Sequence, residues 1–183
     1  IAVFISGTGS NLKNLIKHSL KKDSKFQICL VISNKSKAKG LNYAKKYKIK
    51  KKVINYSSIN TAEMNILNEL KRNKIDLVCL AGYMKILSKE FLKNWKYDIL
   101  NIHPSLLPAF KGIDAPKQAL DLGVKFSGCT VHYVNEDVDC GKIIDQRSVK
   151  VDKKESLTSL KKKILKEEHK LYINVIGKLE KEV

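Results

Sequence analysis
The chain has 183 residues, enough for one globular unit with a substantial core and cramped for two full domains. Lysine and arginine total 36 against 18 acidic residues, and the net charge of +18 draws anions, phosphates and carboxylates first among them. Only Arg72 and Arg147 are arginines, so the excess is lysine scattered over nearly every polar face, as in Lys45-Lys46 and Lys50-Lys51-Lys52, a surface style that argues against the arginine-bearing stripe of a specific nucleic-acid reader.

Ala2 to Ser6 is a short apolar run closed by Gly7-Thr8-Gly9-Ser10-Asn11, after which Leu12, Leu15, Ile16 and Leu20 recur at helical spacing. The pattern predicts strand, glycine turn and helix. Gln27 to Ser33 reads as a second strand, Ala38 to Tyr47 as a second helix, and Lys52 to Ile54 as a short third strand. A helix over about 62–71 leads into Leu77-Val78-Cys79-Leu80-Ala81-Gly82, apolar throughout as a strand covered on both faces should be. Lys89 to Trp95 reads as helix and Asp98 to Ile102 as strand. Cys129 to Val134 and Ile143 to Val149 are alternating runs around an acidic loop, an antiparallel excursion, and a long amphipathic helix over about 156–181 closes the chain. Alternating strands and helices predict an α/β fold, an open and mostly parallel twisted sheet with helices on both faces, whose ligands bind outside the carboxyl ends of the strands. Three strand ends, after Ser6, after Ala81 and at Asn101 to His103, are expected to face one cleft.

Cys29, Cys79, Cys129 and Cys140 stand far apart with no CxxC pair and no histidine at metal spacing, so no metal site is expected. Cys29 and Cys79 lie in apolar runs and read as small core residues. The cysteine usage predicts a reduced, cytoplasmic protein. No leader is recognised, and no apolar run approaches the ~20 residues that span a bilayer. Because the first residue is Ile1, a residue or two of the native start is expected ahead of it.

Two segments carry the chemistry. Gly7 to Asn11 at a helix start offers backbone N–H groups and the positive end of a helix dipole to an anion, with Ser10 and Asn11 as added donors. It is neither a P-loop nor a complete dinucleotide fingerprint, so a monophosphate site and an ordinary tight turn are the two readings. Asn101-Ile102-His103-Pro104 ends a strand with an amide and an imidazole two residues apart, pointing to the same side, and the proline stiffens the exit. Imidazole titrates near neutrality and can act as general acid, and Asn101 can hydrogen-bond a developing oxyanion. A carboxylate from the loop Asn135-Glu136-Asp137-Val138-Asp139 near His103 would stabilise its charged form. His132 reads as a strand residue with no assigned role and His18 as a surface residue.

Ile5 to Leu12, Leu80 to Leu87, Asn101 to Pro108 and Gly128 to Gly141 together closely resemble the phosphoribosylglycinamide formyltransferase family of purine biosynthesis, nearly end to end. The resemblance implies a single formyltransferase domain over 1–183, with a phosphate-binding half of about 1–100 and a folate-binding and catalytic part of about 80–150. The implied partners are the small molecules phosphoribosylglycinamide and 10-formyltetrahydrofolate, with no metal, no membrane and no specific nucleic acid, and with room for a homodimer. Asn101, His103 and Asp139 would be the catalytic trio. Gly9, Ser10, Asn11, Leu12 and Lys13 would cradle the substrate phosphate, and Glu168, with Lys166 and Glu167 beside it, would meet the ribose. Met84, Lys85, Ile86 and Leu87 would form the folate wall, and Asn101 and Asn135, Glu136, Asp137, Val138 and Asp139 would complete that pocket. The chain departs from the family in three places: Lys85 where arginine is common, no arginine around Ser57 to Glu63 for the folate tail, and Cys140 where glycine is commoner, for which inert packing is expected. Formyltetrahydrofolate deformylase and the catalytic part of methionyl-tRNA formyltransferase are the enzyme alternatives. The first of these brings an extra regulatory domain; the second lacks the glycine turn and adds a tRNA-binding domain. A basic nucleic-acid-binding module is the non-enzyme alternative and leaves the trio unexplained.

Overall fold
The computed structural model describes residues 1–179, in which seven strands and six helices form. The chain divides into two compact units, Ile1–Leu100 and Asn101–Val183.

In the first unit, β1 (Ala2–Ile5), β2 (Leu30–Ser33), β3 (Lys50–Val53) and β4 (Leu77–Leu80) alternate with α1 (Ser10–Ser19), α2 (Leu41–Lys46), α3 (Ile59–Arg72) and α4 (Lys89–Asn94). The strands are parallel, with β1 paired to both β2 and β4, and β3 added outside β2. β1, β2 and β4 are buried at every position, which is why their sequences are apolar without alternation. β3 is exposed throughout and begins two residues earlier than hydropathy suggests, at Lys50, which pairs with Leu30. Lysines 50 to 52 line this outer strand, and charge there discourages edge-to-edge pairing. β2 starts only at Leu30, so Cys29 is exposed and not a core residue; Cys79 is buried as expected. α3 starts earlier than its apolar spacing indicates, from an extended Ser58, and Asn73 closes it by donating from Nδ2 to the Glu69 carbonyl at 2.6 Å.

The strand β5 (Asp98–His103) carries the chain into the second unit, where α5 (Ala115–Asp121), β6 (Phe126–Tyr133), β7 (Ile143–Lys150) and α6 (Leu157–Leu179) follow. β6 and β7 are antiparallel, with a register shift between Val131 and His132. α6 lies on both strands and buries Leu160, Ile164, Leu171, Tyr172, Val175 and Ile176, each worth about 1.5–3 kcal/mol of transfer free energy. Its expected last residues, 180 and 181, lie outside the described residues. α5 was not expected: Pro116 sits in its first turn, where a missing N–H costs nothing. No helix among the described residues is long and apolar enough to cross a membrane.

Candidate active site
The glycine turn of the first unit is built by close backbone approach. Gly9 adopts φ 72°, its carbonyl accepts the Lys13 N–H at 2.8 Å, and a Cβ on it would stand 2.6 Å from the Gly40 Cα. Only glycine meets both demands. Ser10 and Asn11 open α1, and Lys13 is exposed with its ammonium 5.4 Å from the centre of the Tyr43 ring. Leu12 is wholly buried, so it can serve an anion only through its backbone.

The segment after β4 is pinned beside this turn. Ser6 receives support from both sides: its N–H donates to the Gly82 carbonyl at 3.0 Å, and its hydroxyl accepts the Met84 N–H at 2.7 Å and donates to Asn34 Oδ1 at 2.5 Å. The expected neighbourhood of the first two strand ends is therefore present. Glu63, buried on α3, accepts both the Ser88 N–H at 2.8 Å and the Ser88 hydroxyl, and Ser88 in turn caps α4 by accepting the Phe91 N–H at 3.0 Å. Between these anchors Met84 and Ile86 are 61% and 70% exposed, an apolar pair on the surface, whereas Leu87 belongs to the core. The Lys85 ammonium stands 5.1 Å from the centre of the Tyr56 ring, and the Tyr56 hydroxyl accepts from Tyr83 at 3.0 Å. Burial, with that hydrogen bond second, pushes the Tyr83 phenol far above its usual value, so it is a donor at every relevant pH.

Asn101, His103 and Asp139 come together in the second unit. Their side chains converge because Asn101 and His103 alternate onto one face of β5 and the turn after β6 brings Asp139 back in a left-handed conformation, φ 53°. Such a backbone costs about 1 kcal/mol or more for a non-glycine residue, offset here by the Gly112 N–H, which donates to Asp139 Oδ2 at 2.8 Å. The turn closes on Gly141, where a Cβ would collide with the Tyr133 carbonyl oxygen at 1.7 Å. The loop beyond His103 is clamped by Thr130, whose hydroxyl donates to the Ser105 carbonyl at 2.7 Å and accepts from the Leu107 N–H at 3.0 Å and from Gln146 Nε2 at 2.8 Å.

His103 is 5% exposed. Its Nε2 lies 2.8 Å from the Phe110 carbonyl oxygen and its Nδ1 lies 3.3 Å from Asp139 Oδ2. With acceptors at both nitrogens, only the doubly protonated imidazolium satisfies the two contacts. Asn101 donates from Nδ2 to His132 Nε2 at 3.1 Å and to Asp139 Oδ1 at 3.3 Å. His132 Nδ1 donates to the Tyr133 carbonyl at 2.8 Å, which fixes the neutral tautomer and leaves Nε2 to accept from Asn101. Burial pulls the Asp139 carboxyl up, but contacts that include the Gly112 N–H and the charge of His103 hold it below its usual value. The buried cluster thus sets the His103 ring between two acceptors, one of them a carboxylate held below its usual value.

His132 is the member that the sequence left without a role. Its signal was present: in a strand of alternating pattern it is a polar residue at a buried position, 2% exposed. The contributions of Gly112 and Phe110 are backbone groups, which no side-chain pattern announces. Of the acidic loop, Glu136, Asp137 and Val138 are exposed and only Asp139 reaches His103. On α6, Glu168 is buried, Lys166 is exposed, and Glu167 accepts the Lys170 ammonium at 2.7 Å. His18 is not free surface; its ring stacks on Phe26 at 5.5 Å. Among the described residues, no group of three or more His, Cys, Asp or Glu side chains is arranged to hold a metal ion.

The sequence profile of the formyl transferase family matches residues 1–176. The phosphoribosylglycinamide formyltransferase of Bacillus subtilis (strain 168) is 38% identical over 181 residues, 97% of this chain and 93% of that protein. The trifunctional purine biosynthetic protein adenosine-3 of Homo sapiens is 46% identical over 175 residues, 94% of this chain; the chain spans only 17% of that larger protein's length. The crystal structure of glycinamide ribonucleotide transformylase 1 from Symbiobacterium toebii superimposes with a TM-score of 0.94 at 38% identity, covering 98% of this chain and 86% of that one. The mostly parallel α/β architecture expected from the alternation of elements is that of these structures. On the match of sequence across nearly its whole length, the chain belongs to the formyl transferase family.

Proposed function
We propose that the protein transfers the formyl group of 10-formyltetrahydrofolate to the amine of phosphoribosylglycinamide, a step of purine biosynthesis. The observation that carries this reading is the buried imidazole of His103, held between the Phe110 carbonyl and Asp139, with the Asn101 amide on the same carboxylate. Attack of the amine on the formyl carbon makes a tetrahedral centre whose oxygen becomes negative. The His103 Nε2–H, which faces the Phe110 carbonyl in this structure, then hydrogen-bonds that oxygen and stabilises its negative charge without leaving the ring, and Asp139 favours the charged ring throughout. Asn101 is the second donor to the oxygen and gives up one of its two present acceptors, His132 or Asp139, to reach it. Collapse of the tetrahedral centre expels the folate nitrogen. The attacking amine loses a proton and the leaving nitrogen gains one, by way of a water positioned by Asp139.

In this reading the turn Gly9 to Lys13 holds the substrate phosphate through backbone N–H groups, Ser10, Asn11 and the Lys13 ammonium, and Glu168, with Lys166 and Glu167 near it, meets the ribose. Met84, Lys85, Ile86 and Leu87, with Asn101 and Asn135 to Asp139, hold the folate; the exposed apolar pair Met84 and Ile86 supports this. The whole chain acts as one formyltransferase domain, its phosphate-binding half matching the first compact unit, which ends at Leu100. It works on small molecules in the cytoplasm, without a metal and without a nucleic-acid partner.

The test mixes the protein with both substrates and follows consumption of 10-formyltetrahydrofolate by absorbance. Turnover that requires phosphoribosylglycinamide is expected. Formyl-folate consumption at the same rate without that acceptor would mean transfer to water and would overturn the proposal.

A further inference from the structure
Tyr56 is fixed by a chain of contacts that starts in the core of the first unit. Phe4 is wholly buried on β1, and the Tyr83 ring meets it edge-on, with centroids 5.3 Å apart and planes at 65°. Tyr83 is itself buried and donates its hydroxyl to that of Tyr56 at 3.0 Å. The half-buried Tyr56 ring therefore stands on a rigid support, and the Lys85 ammonium lies 5.1 Å from its centre. Lys85 is exposed, and so are Met84 and Ile86 on either side of it in the chain.

A neutral ring as partner sets Lys85 apart from other lysines of the chain. Lys50 and Lys52 meet Glu69, Lys117 meets Asp121 and Lys170 meets Glu167. Lys111 donates to the sulfur of Cys140, which is exposed and not inertly packed. Among the described residues no carboxylate pairs with Lys85. An ion pair cancels a lysine's charge, whereas the face of a ring orients the ammonium and leaves its charge open to an anion. Tyr56 directly precedes Ser57 to Glu63, where neither arginine nor lysine stands.

We propose that Tyr56 is a positioning residue for the folate: its ring holds the Lys85 ammonium beside Met84 and Ile86, where it receives a carboxylate of the folate's glutamate end. This role rests on the folate reading and deepens it, because it names the pair that sets a preference for the glutamate-bearing form. The glutamate carboxylates are the anionic groups of 10-formyltetrahydrofolate, and an ammonium placed in advance loses less side-chain freedom on binding one than a mobile lysine does. The Tyr83 hydroxyl holds the ring, the ring holds the ammonium, and only the ammonium touches the ligand.

The experiment measures binding to the whole protein by titration calorimetry with two probes, 5-formyltetrahydrofolate and the matching 5-formyltetrahydropteroate, which lacks the glutamate. The ratio of their dissociation constants reports what the glutamate end contributes. The unsubstituted protein should bind the glutamate-bearing probe about tenfold more tightly. Tyr56→Leu should cut that preference to about twofold, and Tyr56→Phe, which keeps the ring, should retain at least about half of it. Lys85→Met should abolish the preference, and adding Tyr56→Leu to it should change the ratio no further, because the ring acts through the ammonium. Equal affinity for the two probes in the unsubstituted protein, a ratio untouched by Tyr56→Leu, or a further change on adding it to Lys85→Met would overturn the proposal. If Tyr56→Leu does not fold, Lys85→Met on its exposed side chain still decides, since a preference that survives it overturns the role as well. Binding of both probes with an unresponsive ratio would leave the folate reading standing and remove only the role of Tyr56. Binding of neither probe would overturn the folate reading and this role together.

Discussion
Asp139→Asn keeps the shape of the side chain and removes its charge. The carboxylate receives Gly112 N–H and His103 Nδ1 on Oδ2 and Asn101 Nδ2 on Oδ1, and an amide has one oxygen for these donors. If that oxygen takes the place of Oδ2, the new NH2 faces the NH2 of Asn101. In the reverse orientation it faces two donors, so the first is preferred. The first still forfeits the bond from Asn101, about 1 kcal/mol, and the charged part of the His103 contact, about 2 kcal/mol. Roughly 3 kcal/mol corresponds to a fall in kcat of about 150-fold. Because Asp139 has a depressed pKa, its contribution is complete above the ordinary carboxylate value of 3.8 and is lost as pH falls through the lower folded value. The native enzyme should therefore show an acid limb below that range that the Asn variant lacks. Steady-state kinetics against each substrate across pH would measure both effects, with urea unfolding to separate folding from catalysis. A kcat within about threefold of the native value in a fully folded variant would refute the role given to Asp139.

Gly9→Ala meets φ 72° and the Gly40 Cα at 2.6 Å together, so it should cost at least about 1 kcal/mol of unfolding free energy and raise KM for phosphoribosylglycinamide more than KM for the folate. Urea unfolding and kinetics test it, and a shift confined to the folate would contradict the phosphate assignment. Lys163 donates to Asp152 at 2.6 Å and to Glu155, and holds the Glu155 carboxyl down to about 2 from 4.5, with Ser159 assisting. That stabilisation is complete above pH 4.5 and fades as pH falls toward 2, so thermal melts of Lys163→Met should depend less on pH across this window than those of the native protein. Parallel pH dependence in the two would show that the cluster adds nothing.

Much of this protein is determined locally. The continuous apolar runs of β1 and β4 state that those strands are covered on both faces, and the spacing of Leu12, Leu15 and Ile16 states which side of α1 is buried. Asn101 and His103 on one face of a strand end, and an acidic loop between two later strands, are equally visible in order. What hydropathy could not supply are features set by neighbours. β3 is a strand because β2 offers it a hydrogen-bonding edge, not because Lys50-Lys51-Lys52 is strand-like. α5 hid behind Pro116, which reads as a breaker until its place in the first turn is known.

The same division runs through the active site. The residue types and their period along the chain already pointed to Asn101, His103 and an acidic loop over 135–139, and the family resemblance singled out Asp139 in that loop. That one carboxylate of the acidic loop reaches His103 while its neighbours face water depends on a left-handed turn closed by Gly141, and on a backbone N–H from Gly112. The entry of His132 into the cluster and the pairing of Cys140 with Lys111 belong to the same class, since each joins residues about 30 positions apart. Sequence alone determines which side chains are available and which way each strand or helix presents them, because those follow from the period of the backbone. Only the tertiary structure decides which of them meet, because contact between distant residues is set by loop conformation and burial and not by local preference.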